Sequence, residues 1–178
     1  MFSPRSGCRY LSTVGRRGAP PPSALRHSVG MTKLRALQRP VSSILDEFIT
    51  EISVGVKPVT ARRILDVRIH LENFLDEYGD EIVEDRTGFL AERARDPVGV
   101  FGRMGTAEDL FYAFYVYLSP QFRMPVPVDA RCQVRLVRDL AHWMWARALL
   151  PRLDSGSCIV LDVEMALRQA RRDVAPRR

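Results

Sequence analysis

Between Ala130 and Leu150 the chain has the pattern of one long amphipathic helix, and this segment constrains the fold more than any other. Val134, Val137, Ala141, Met144 and Ala148 recur at intervals of three and four, and Leu136, Leu140 and Trp143 widen the apolar arc. Arg131, Arg135, Arg138 and His142 repeat at the same intervals on the opposite side of the cylinder. A helix with two such faces buries one against other helices and leaves the other to water or to a charged partner. Asp129 is its expected cap and Pro151 its expected stop.

The remaining pattern is helical too. Ser42 or Ser43 can cap a helix carrying Ile44, Leu45, Phe48, Ile49 and Ile52, closed by Gly55 and Pro58. Thr60 is the expected cap of a helix to Tyr78 that turns Ile64, Val67, Leu71, Phe74 and Leu75 inward. Arg62 falls opposite that stripe, Arg63 and Arg68 flank it, and Gly79 is its natural stop. Thr106, with Glu108 and Asp109 in the first turn, opens a further helix through Leu118, and a last one covers roughly Val160 to Arg172. Within residues 80–105, positions 81–95 fit a helix, while Asp96, Pro97, Gly99, Gly102 and Gly105 read as loop. The expected fold is all-α, a bundle of four to five helices over residues 41–152, with 153–178 as a C-terminal helix and tail.

Charge divides the chain. Residues 1–45 hold eight Lys or Arg and no acid, whereas from Asp46 onward nineteen basic residues face twenty-one acidic ones, a net charge of −2. A nucleic-acid site in this body is therefore a local patch rather than a globally basic surface. Residues 1–40 mix Gly, Pro, Ser and Arg without apolar periodicity, so a disordered basic leader is expected there. Its composition also matches an organellar transit peptide, although Pro20, Pro21 and Pro22 interrupt any amphipathic helix, and translation from Met31 would omit most of it. Cys8, Cys132 and Cys158 are odd in number and far apart, which fits a reducing, cytoplasmic setting better than a disulfide framework. The longest apolar run, Leu110 to Leu118, is about half the ~20 residues of a membrane-spanning helix, so no membrane partner is expected.

No catalytic constellation can be assembled. His70 and His142 each have one carboxylate a turn back, Asp66 and Asp139, short of the three or four ligands zinc requires. Ser155 in the run DSGSC lacks the flanking pattern of a nucleophile elbow, and Gly99, Gly102 and Gly105 lack the Lys of a phosphate loop. Neither an enzyme, a metal nor a cofactor is expected. Phe111, Tyr112, Phe114, Tyr115 and Tyr117 surround their helix and read as core, while Trp145, about 200° from Trp143, falls at a boundary or a contact surface.

Val134, Val137, Arg138, Leu140, Trp143, Leu149 and Leu150 together resemble the last helix of the amino-terminal core-binding domain of tyrosine recombinases and phage-type integrases. Thr106, Asp109, Leu110, Phe114 and Tyr117 are similar to the helix that precedes it, and Leu71, Phe74 and Leu75 to the family's first long helix. The resemblance covers roughly residues 42–152 and implies a SAM-like bundle that clamps double-stranded DNA. It departs from the family at residues 80–105, which look like an insertion, and at Thr60, which stands farther from the aromatic Phe74 than the family's Thr does. The recombinase catalytic residues have no counterpart, so the resemblance implies binding without cleavage. On this reading Arg131, Arg135, Arg138, His142, Arg62 and Arg63 face the duplex. The competing expectations are a solvated face with Arg135 and Asp139 paired, and a small helical interaction module that forms a homo-oligomer or binds a protein through Trp145 and the aromatic helix.

Overall fold

Prolines, as often as polar caps, mark where the helices begin among the described residues. A computed structural model describes residues 39–150, 153 and 156–175; the expected leader, Ser155 and the Pro151 stop lie outside the described residues or at their edge. Seven helices are present among the described residues: α1 (Val41–Ile52), α2 (Pro58–Tyr78), α3 (Arg86–Arg95), α4 (Val100–Met104), α5 (Ala107–Tyr117), α6 (Pro127–Ala146) and α7 (Cys158–Val174). Two 3-10 turns, Gly79–Glu81 and Pro120–Phe122, complete the elements, and no strand occurs among these residues.

Three expected caps are displaced for one reason. Pro40 stands immediately before α1, and Pro58 and Pro127 are the first residues of α2 and α6. Proline's fixed φ suits the first turn, and its missing N–H is one the helix would leave unpaired anyway. Ser42, Ser43, Thr60 and Asp129 therefore sit inside the first turns instead of capping them. Where no proline intervenes the polar cap operates: Thr106 and Asp109 exchange hydrogen bonds as a capping box at 3.1 and 2.9 Å, and Ser157 accepts from Val160 at the start of α7.

The bundle buries the apolar stripes that periodicity marks out. Ile44, Leu45, Phe48 and Ile49 of α1, and Ile64, Val67, Leu71, Phe74 and Leu75 of α2, are all in the core. Helix α2 packs on α6, and α7 lies against both α5 and α6. Val160, Val163, Leu167 and Ala170 of α7 join the same core, so this helix is one of the bundle's own walls. The apolar stripe of α6 ends at Met144, because the helix stops at Ala146 and not near Leu150. Ala148 has φ 51°, the Ala148 N–H donates to the Trp145 carbonyl and the Leu149 N–H to that of Met144. These are the two bonds of a Schellman closure, with alanine where glycine is usual, and they turn Leu150 back into the core.

Residues 79–105 fold against the end of α2 through one carboxylate and one glycine. Asp76 accepts the Gly99 and Phe101 N–H groups at 2.6 and 3.0 Å, capping the short α4 from a neighbouring helix. Phe89 and Phe101 are fully buried edge to face at 6.2 Å, and a Cβ on Gly79 would come within 2.6 Å of both rings. Gly79 is thus required for space. The helix does end there, with Gly79 as its cap as expected, but the glycine's φ of −61° is ordinary and the stop is not a left-handed one.

Two buried polar groups tie α5 to its neighbours. Gln133 is fully buried; its side-chain NH2 donates to the Tyr117 and Phe122 carbonyls at 3.3 and 3.0 Å, and its oxygen accepts the Met124 N–H at 2.9 Å. The Tyr117 hydroxyl, pushed up by burial, lies 2.8 Å from Nδ1 of His70. Desolvation holds the His70 imidazole below its ordinary value, which favours the neutral ring, and the Tyr117 hydroxyl also lies 3.5 Å from the Val67 carbonyl. Gln133→Leu leaves these backbone groups without partners and is expected to cost about 2–3 kcal/mol in chemical denaturation. The His70 shift also carries a sign: the unfolded chain takes up the proton first. Stability should be complete above about pH 6.5 and fall below it, and His70→Asn, whose uncharged amide can donate or accept near the Tyr117 hydroxyl, should flatten that slope in urea melts.

Candidate nucleic-acid interface

Helix α6 presents its basic residues as one row. At ~100° per residue Arg131, Arg135, Arg138 and His142 fall within an arc of about 60°, and at ~1.5 Å per residue they span roughly 16 Å. Arg131, Arg135 and His142 are exposed and Arg138 is half-buried. Among the described residues Arg131, Arg135 and His142 have no ion pair or side-chain hydrogen bond. The Arg135–Asp139 pair expected of a merely solvated face does not form. Asp139 is instead held by its neighbour Arg138, at 2.7 Å to Nε and 2.6 Å to Nη2.

The two arginines of α2 differ from each other. Arg62 is exposed and without a partner among the described residues, whereas Arg63 meets Asp129 across the α2–α6 contact at 3.4 Å. Arg63 therefore anchors one helix to the other. Cys132 sits half-buried on this flank of the row. Burial pushes its thiol up, Asp129 adds to that, and Arg135 and Arg63 oppose it.

Sequence reasoning missed what happens at the far end of α6. Arg147 stacks over the Trp143 ring at 4.7 Å and pairs with Glu47 and Glu51 of α1 at 2.5 and 2.7 Å. Trp143 also donates its indole N–H to Glu51 at 2.8 Å and lies edge-on to Phe48. Arg39 holds Glu47 as well, and Arg68 takes Asp46 at 2.6 Å. The carboxylates of α1 are in this way paired away from the row. An open depression of about 520 Å³ along α1 is lined by Asp46, Glu47 and Glu51 with Ser43, Thr50 and Val54, and so has no basic group in its lining to meet a polyanion. No residue spacing signals the partners of Trp143 and Arg147, since they come from a helix ninety or more positions away.

The aromatic helix is only partly core. Phe111, Phe114 and Tyr117 are buried, but Tyr112 is half-exposed and Tyr115 is 48% exposed, a correction to the expectation that all five lie inside. Trp145 is 43% exposed, at the surface position expected. His70 and His142 do not converge on shared ligands: His70 is engaged by Tyr117, and no group of three His, Cys, Asp or Glu among the described residues is placed to hold a metal ion. No helix among these residues is long and apolar enough to cross a membrane.

Comparison of the chain with protein-family models, curated proteins and solved structures gives no match. The functional reading therefore rests on the residues themselves. Cys132 offers a direct reporter of the row's surroundings: in alkylation followed by peptide mass spectrometry it should react more slowly than the exposed Cys158 at neutral pH, and accelerate as the pH is raised.

Proposed function

We propose that this chain binds double-stranded DNA through the exposed face of α6, as an integrase-like core-binding module without cleavage chemistry of its own. The observation that carries the reading is the row Arg131, Arg135 and His142, unpaired among the described residues, beside Arg138, while the acids of α1 are neutralised elsewhere. An ion row of this kind, displayed on a helix fixed by its packing, suits the phosphates of a duplex. Arg62 extends the basic surface from α2. Arg63 contributes through the α2–α6 contact, because its guanidinium is shared with Asp129.

Contacts of this type position the duplex and read little of its sequence. Each neutralised phosphate releases a counterion, so four arginine contacts should give a slope of about −3 to −4 when log affinity is plotted against log salt. In fluorescence anisotropy with a duplex probe, changing Arg135 and Arg138 to Ala should reduce that slope by about 2 and weaken binding across unrelated sequences alike. Arg168→Ala, on α7 and paired with Glu164, serves as the control and should leave the slope unchanged. Undetectable binding at low salt would overturn the reading.

A further inference from the structure

The basic row does not end in water alone. One turn beyond His142, and within about 20° of Arg138 around the helix, the same face carries Trp145. The chain has two tryptophans, and the structure uses them differently. Trp143 is bonded to Glu51, edge-on to Phe48 and covered by Arg147. The Trp145 indole makes no ring contact, hydrogen bond or cation–π contact among the described residues, and the residue leaves 43% of its surface open. A large indole left open at the end of a line of cations offers a stacking surface where a phosphate chain passing along the row would present its next nucleotide. In a closed duplex the base faces are already stacked on one another. An unpaired base has a face to offer, and stacking on an aromatic side chain is insensitive to which base it is.

We propose that Trp145 stacks on an unpaired base adjoining the duplex held by the arginine row, so that the preferred partner is duplex DNA with a single-stranded overhang or an unpaired nucleotide. The inference rests on the DNA-binding reading above and adds to it the structural class of DNA. The cations fix the backbone and the indole selects for a base free of its partner. The preference should amount to between about fivefold and a hundredfold in affinity over the blunt duplex, the range expected for one stacked base.

The test compares a blunt duplex with the same duplex extended by a short single-stranded overhang, using the full chain, its Trp145→Ala variant and its Trp143→Phe variant. In Trp143→Phe the only indole left is Trp145, and circular dichroism verifies its fold. Tighter binding of the overhang DNA, with quenching of Trp145 emission, is expected. Trp145→Ala should lower the overhang's affinity to that of the blunt duplex, and Trp145→Phe should recover part of the difference. Equal affinity for both DNAs in the unaltered chain, or an overhang preference that survives in Trp145→Ala, overturns this proposal and leaves the duplex reading standing. Binding of neither DNA at low salt overturns both.

Discussion

A single buried carboxamide governs how this bundle is put together. Gln133 lies on the apolar side of α6, where a hydrocarbon is the usual choice, and its bonds reach the end of α5, the 3-10 turn at Phe122 and the strap at Met124. A buried amide with unmade bonds is unfavourable, so the connection between α5 and α6 is drawn into one path. That path delivers the chain to Pro127, where α6 starts, with Gln133 on its buried side. Arg123 reinforces the strap by bonding the Leu118 carbonyl and pairing with Asp173 at the end of α7. With the apolar arc and Gln133 turned inward, the arginines on the other side have only the outside available.

Electrostatics then distributes the exposed charge unevenly. The body has slightly more acids than bases, yet its arginines are not interchangeable. Arg39, Arg68 and Arg147 gather the acids of α1, Arg93 and Arg86 gather Asp80, and Arg103 and Arg95 hold Glu92. Individually such surface pairs add little stability. Collectively they leave Arg131, Arg135 and His142 of α6, with Arg62 of α2, among the basic side chains that have no acidic partner among the described residues.

Much of this was legible in the chain, and the parts that were not share a physical cause. Periodicity reports burial, so the core faces of α1, α2 and α6 and the outward direction of the arginine row were readable from spacing alone. Helix starts were misread where proline displaced the polar cap, as at Thr60 and Asp129, because two local signals competed within three residues. Gly79 was readable as the stop of α2, but the reason it must lack a side chain was not, because Phe89 and Phe101 arrive from further along the chain. Gln133 and the Arg147–Trp143–Glu51 cluster were invisible for the same reason: their partners are tertiary. The candidate row was legible as a surface to the extent that it belongs to one helix, and the Arg63–Asp129 pair was not, because it needs a second helix.

Helix α6 is fastened at both ends, by Arg63 on Asp129 at its start and by Arg147 on Glu47 and Glu51 at its finish. A polyanion lying on it meets a rod whose backbone has already surrendered its freedom, so the ordering left to be done falls on arginine rotamers and on the ligand. Such a surface does not bend to its partner. Under the DNA-binding reading proposed above, it would ask the duplex to conform, and would favour one duplex over another by how readily each deforms, independently of the letters they carry.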